Sequence, residues 1–291
     1  MGSAPARAWR GDEEQLTSTV VMDIPIPPEG TAERWAYDYV TSEALGHKLA
    51  PPPVPAGWED DAPVRRVERP GRPSSLQIAK RAHKSPGPDA IRDPARRAQL
   101  VHTFLHHELQ AAELMAWALL AFPEAPRAFK VGLLRIAGDE IRHMAMYARY
   151  MEGLGHAFGE FPVRDWFWER VPRSKSPAHF AAVMGMGLEG GNLDHTARFA
   201  GRFRAIGDEE GARIQEIVCA EEVPHVRFGL RWFQRFTEGL DFEAWRAHLP
   251  EPLSPMVMRG SPLNREDRIR AGFPEGFLQE LDKWSPESRG S

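Results

Sequence analysis

Two short motifs carry the residue types of metal chemistry, Glu140-x-x-His143 and Glu222-x-x-His225. Residues three apart on a helix share a face, so each motif can present a carboxylate and an imidazole to one ion. The motif alone is weak: with 27 Glu and 11 His in 291 residues, chance gives about one occurrence, and two are present. Its spacing to a further acid is more telling. Glu108 precedes Glu140 by 32 residues, and Glu189 precedes Glu222 by 33. A second acid follows each leading glutamate after five residues, Glu113 in one case and Asp194 in the other. The chain therefore carries one set of polar positions twice.

Four long helices are needed to position these residues, and apolar periodicity predicts them over about 94–121, 126–154, 177–206 and 208–237. The link FPEAP at 122–126 and the link IGDEEG around Gly207 and Asp208 are short, which makes two antiparallel hairpins. The connection between hairpins, 155–176, is long and aromatic, so it reads as a packed crossover. The expected fold is all-α: a ferritin-like four-helix bundle of two antiparallel hairpins with one long crossover. At 1.5 Å per residue, Glu108 and Glu140 sit at one height, each about 16 residues from the middle of their link.

Each acid interrupts an apolar stripe, as Glu108 does between Leu105 and Ala112 and Glu189 between Met186 and Leu193. Buried carboxylates without a counter-charge cost several kcal/mol each, and no Lys lies on these stripes. Divalent cations answer that need. Four glutamates and two histidines are the ligand inventory of a di-iron or di-manganese carboxylate centre. On this reading Glu140 and Glu222 bridge two ions, Glu108 and Glu189 are terminal, and His143 and His225 serve one ion each. Oxygen ligands with one imidazole per ion suit iron, with manganese possible, better than zinc. Glu113 and Asp194 are candidates to receive the imidazole N–H groups, the alternative being an interhelix or surface acid. Tyr147, one turn beyond His143, is a candidate catalytic phenol or simple core. His106, His107 and His195 read as structural, and Cys219 as a small buried hydrophobe.

Composition narrows the classes. A single cysteine excludes a disulfide scaffold and a cysteine-ligated iron–sulfur cluster within the chain. A net charge of −4 argues against an overall cationic nucleic-acid binder. The leading residues lack an apolar segment and no run is long enough to span a membrane, so a cytoplasmic address without membrane association is expected. Residues 1–100 hold 14 of the 26 prolines, and 102–225 hold eight of the 11 histidines. The expected domains are a Pro-rich arm at 1–93 with one helix near 32–49, the dimetal bundle at 94–240, and a short helical tail at 241–291 that packs on it without chemistry of its own. Residues 64–97 carry ten Lys/Arg against three acids, read as a solvated wrapping segment or a phosphate-contacting strip.

The segments HHELQAAELMAWALLAFPEAP, DEIRHMAMYARYMEGLG, GLEGGNLDHTARFAGRFRAIGDEE and EEVPHVRFGLRWF resemble an uncharacterised bacterial family of ferritin-like proteins, with RPGRP and PLSP as further matches over about residues 69–273. More distantly the chain is similar to the ferritin-like di-iron tRNA hydroxylase family that oxidises a hypermodified isopentenyl-adenosine, through Glu108, Glu189-x4-Asp194, and the motifs at 140/143 and 222/225. The stretch Asp139-Glu140-Ile141-Arg142-His143 resembles the D-E-x-R-H motif of bacterial multicomponent monooxygenases. That resemblance implies that Asp139 and Arg142 support the metal ligands. Two departures stand out. Pro224, inside the second motif, predicts a kink or π-bulge in the last long helix. Gly185, Gly187, Gly190 and Gly191 surround Glu189, for either close helix packing or space for dioxygen or substrate.

The expected function is an oxygen-activating oxidoreductase, a di-iron monooxygenase or oxidase acting with O2 on a small organic molecule, with electrons from an external donor. Alternatives are a tRNA or nucleoside hydroxylase, and a non-catalytic metal-binding or ferroxidase-type protein. The oligomeric state is read as monomer or homodimer.

Overall fold

A computed structural model describes residues 24–80 and 86–286. Residues 1–23, on which the expectation about a secretory leader rests, and 81–85 of the basic stretch lie outside the described residues. The chain is all-helical: among the described residues there is no β-strand, only isolated bridges joining Thr31 to Gly57 and Ile78 to Val163. No helix is long and apolar enough to cross a membrane among the described residues.

In the arm, α1 spans Ala32–Thr41 and α2 spans Leu45–Leu49, where one helix was expected over 32–49. The break has a local cause. Ser42 takes extended backbone, and its Oγ accepts the Ala44 N–H, a bond that competes with helix continuation. The arm then runs over the next long helix, α3, at Pro94–Ala121, where Arg65 N–H donates to Leu120 O and Trp117 Nε1 donates to Val67 O.

Asp93 caps α3 by accepting the Ala95 N–H, and Pro94 sits in the first turn, where its missing donor costs nothing. Helix α4, Arg127–Gly153, follows a short turn and packs along α3. The crossover buries Trp168 and Val171. Helix α5, Pro177–Phe180, continues as a π-helical segment, Ala181–Leu188, and then as α6, Glu189–Ala205. Gly207, at φ +81°, makes the turn into α7, Glu209–Thr237, whose N-terminus is capped by Asp208 on the Gly211 N–H. Helices α6 and α7 pack together, and α4 joins the two hairpins by packing on α7.

No π-bulge forms at Pro224; the π-helical segment lies on the facing helix of the second hairpin, immediately before Glu189. Pro224 lies within α7. The glycines of the π-segment serve packing: a Cβ on Gly185 would fall 2.6 Å from Gly229 Cα, so the two backbones touch. Gly190 likewise leaves space for Arg268. The tail forms α8, Phe242–Ala247, α9, Arg265–Ala271, and α10, Glu275–Lys283.

Two apolar cores divide the hairpins along their length. One holds Met115, Leu133, Ile136, Met186 and Val226. The other holds Val101, Leu105, Met144, Met151 and Val218. Glu108, Glu140, Glu189 and Glu222 are buried where the two cores meet.

Candidate metal centre

Glu108 projects from α3, Glu140 and His143 from α4, Glu189 from the first residue of α6, and Glu222 and His225 from α7. All six are buried, none more than 5% exposed. Ligand atoms of Glu108, Glu140, His143 and Glu222 lie within 4.8 Å of one another, so these four could hold a metal ion. His143 Nδ1 is 3.2 Å from Glu140 Oε2, 3.7 Å from Glu108 Oε2 and 3.9 Å from Glu222 Oε1. His225 Nδ1 is 3.1 Å from both Glu140 Oε1 and Glu222 Oε2. Glu189 faces the same cluster, and its Oε1 is buried with no hydrogen-bond partner.

Among the described residues, no Lys or Arg forms an ion pair with any of these four glutamates. The electrostatics follow. Burial pushes Glu108 well above the usual carboxylate range, with His143 opposing and Glu140 adding to the shift. Burial, then Glu222 and Glu140, does the same to Glu189. Burial alone would lower His143, but Glu108 and Glu140 beside its Nδ1 carry it up to about 12. His225 rises for the same kind of reason, burial being outweighed by Glu222 and Asp139. A buried layer with this much acid and no fixed cation demands positive charge from solution, either protons or metal ions.

The outer ring nitrogens are anchored by a crossed pair of carboxylates. His143 Nε2 lies 2.8 Å from Glu221 Oε2, and His225 Nε2 lies 3.0 Å from Asp139 Oδ2. Each acid precedes the glutamate of one motif and serves the histidine of the other. Arg142 ties the two together, donating to Asp139 at 2.7 Å and to Glu221 at 2.7 Å. The hydrogen bond from His225 holds Asp139 below its ordinary range, and His143 and Arg142 hold Glu221 down against its burial. Ionised carboxylates only accept, so each Nε2 donates to its anchor and each Nδ1 is turned to the glutamates.

Glu113 and Asp194 do not receive the imidazole N–H groups. Five residues along a helix is a turn of about 140° from the leading glutamate, so both point away from the centre. Glu113 accepts from Lys48, Arg72 and Trp168 Nε1. Asp194 accepts from both Arg268 Nε and Nη2 and from the N–H groups of Gly260 and Asn264. The tail, expected to carry no chemistry, thus supplies the counter-charge of Asp194. The Tyr147 hydroxyl accepts from Gln215 Nε2 at 3.0 Å. His106 bonds to Asp165, and Cys219 is buried.

A cavity of about 270 Å³ opens from the surface to Glu108 and Glu189, with Phe104, Tyr147, His107, His195 and Arg198 on its walls. Sequence reasoning missed Glu221, Asn192, which donates to Glu222 Oε1 at 3.0 Å, and the cavity arginines. Glu221 had a signal: it stands before Glu222 as Asp139 stands before Glu140, so the repeat is acid-Glu-x-x-His in both copies.

Fold and site together define an all-helical protein with a buried carboxylate–histidine cluster that could hold metal. The chain belongs to the family described as "Protein of unknown function (DUF455)", which matches residues 31–279. It is similar to a Haemophilus influenzae protein described as "Uncharacterized protein", 26% identical over 198 residues that cover 64% of this chain and 66% of that relative. The chain thus spans just under two thirds of that relative's length. No solved structure matches the chain.

Proposed function

We propose that the chain is a ferritin-like dinuclear carboxylate oxidoreductase that holds two iron ions, or manganese, and oxidises a small organic substrate with dioxygen. The observation that carries this reading is the layer of four buried glutamates without Lys or Arg, into which both Nδ1 atoms and an unpartnered Glu189 oxygen are turned. The donor set fits the ions chemically, being oxygen-rich with one imidazole for each. Glu140 and Glu222 each approach both imidazoles, which suits bridging positions, whereas Glu108 approaches His143 alone. Two hairpins joined by a long crossover support the ferritin-like assignment.

Such ions supply, when bound, redox chemistry toward dioxygen. The chain's own residues set the conditions. Asp139, Glu221 and Arg142 fix both imidazole rings, the two apolar cores keep bulk water from the layer, and the cavity admits substrate on the Glu108 and Glu189 side. Insertion of one oxygen atom from O2 needs two further electrons, which come from a separate reductase or from the substrate, since a single cysteine leaves no cysteine-ligated iron–sulfur cluster in the chain. The contacts of the basic stretch favour a small substrate over tRNA: Arg65 pairs with Glu59, Arg66 stacks on Trp117 and Phe122, and Arg72 pairs with Glu113 and Asp165.

Metal analysis of the purified full chain tests the reading, before and after anaerobic loading with iron(II) or manganese(II). Two ions per chain are expected, and Asp139→Asn or Glu221→Gln should weaken retention about 10- to 100-fold. A folded protein that takes up neither ion overturns it.

A further inference from the structure

The cavity has a second charged end. Arg198 and Arg202 stand on α6 at its mouth, and both guanidinium groups lie over the ring of Phe199, at 5.1 and 5.2 Å from its centroid. Arg198 Nε is buried without a hydrogen-bond partner, and Nη2 donates to His195 Nδ1 at 2.9 Å. That bond uses the imidazole lone pair and brings no negative charge. Burial, and then Arg198, lowers His195 to about 4, so the ring stays neutral. Among the described residues, no Asp or Glu forms an ion pair with either arginine. Two cations on one ring, with no ion-paired acid and beside a cavity walled in part by Phe104, Phe167 and Leu188, repel one another, and burial followed by Arg202 depresses Arg198 accordingly.

We propose that Arg198 and Arg202 form an anion-recognition site that seats the carboxylate or phosphate group of an elongated, otherwise apolar substrate, with its far end directed at Glu108 and Glu189. The anion site stands on its own geometry, and only the chemistry at the far end rests on the proposed function. Helix α6 acts as the ruler. Arg198 is nine residues and Arg202 thirteen residues beyond Glu189, about 14 and 20 Å along the axis, and helical side chains lean back toward the N-terminus. Glu189 leans the same way, so only the greater reach of arginine shortens the span, and the charged group and the metal layer are about 10 to 15 Å apart along the axis. Guanidinium forks match both carboxylate and phosphate geometry, so the headgroup is decided by measurement.

Octanoate, octyl phosphate and methyl octanoate provide the probes, titrated calorimetrically into the full chain with metal content measured on the same sample. Both anions are expected to bind at least about tenfold more tightly than the neutral ester, and the tighter of the two assigns the headgroup. Arg198→Gln combined with Arg202→Gln should remove the preference, while Arg198→Lys should retain part of it. Added salt should weaken octanoate and leave the ester unchanged, a readout that needs no variant to fold. Equal binding of octanoate and ester, or no binding of either anion, overturns the site. Metal-replete protein without anion preference removes this proposal and leaves the metal centre standing. Anion preference in protein that takes up no metal does the reverse.

Discussion

Each hairpin buries two acids five residues apart, and their surroundings are opposite. Glu108 and Glu189 meet other carboxylates and two imidazoles, with no Lys or Arg paired to them. Glu113 is enclosed by Lys48, Arg72 and Trp168, and Asp194 by Arg268 and two backbone N–H groups. The uncompensated pair leaves a charge to be met from solution. The compensated pair fastens other parts of the chain: Lys48 and Arg72 belong to the arm, and Arg268 to the tail. Two carboxylates about 7.5 Å apart along one helix thus do two jobs, and the helical angle of about 140° between the positions separates them.

The largest effects are expected where a fastening acid loses its partner. Arg268→Met leaves Asp194 buried with two backbone donors and no cation, and Glu113→Gln leaves Lys48 and Arg72 facing a neutral amide. Removing one member of a buried pair costs about 3–5 kcal/mol. Denaturant unfolding should show that loss for each variant, and the double variant Asp194→Asn with Arg268→Met should recover part of it. A loss under about 1 kcal/mol would mean that these pairs are not what holds the arm and tail.

A smaller effect is expected from acid. Asp165 completes the arm cluster through Arg72 and His106. Burial opposes its charge, but those hydrogen bonds hold it down to about 2 from the ordinary 3.8. A folded value below the unfolded one adds stability that is complete above the unfolded value and is lost as pH falls through the folded one. The window is therefore about pH 4 to 2, and the size about 2 kcal/mol. Stability measured against pH for wild type and Asp165→Asn should converge toward the acid end of that window. Parallel curves would remove Asp165 from the cluster.

The long helices were legible because their ends are local: Asp93–Pro94, Phe122–Pro123, Gly207–Asp208 and the capping of α7 sit within a few residues of what they terminate. The positions of Glu108, Glu140, Glu189 and Glu222 were legible because each interrupts an apolar stripe. What periodicity does not carry is the partner across the fold. Arg72 and Glu113 are 41 residues apart, Arg268 and Asp194 are 74, and the imidazole anchors cross between hairpins over 78 and 86. The π-helical segment was hidden for a related reason. It carries the close approach of Gly185 to Gly229 on a different helix, a contact that no local pattern announces, whereas the local signal at Pro224 is followed by no π-bulge.

The smallest expected effect carries the contrast furthest, because its sign differs from that at Glu113. In metal-free protein, burial and then Glu222 and Glu140 push Glu189 well above the usual carboxylate range, which disfavours its charged form. Glu189→Gln puts a neutral amide of nearly the same shape where a charged carboxylate is disfavoured. Stability of the metal-free variant should therefore stay within about 1 kcal/mol of wild type, or rise. Metal uptake should nonetheless fall, because an amide oxygen brings no charge to a centre that needs anions. Urea unfolding of metal-stripped protein, paired with metal analysis after loading, measures both halves. If Glu189→Gln instead costs as much as Glu113→Gln, the acid already has a fixed partner, and the layer has no unmet charge for an ion to satisfy.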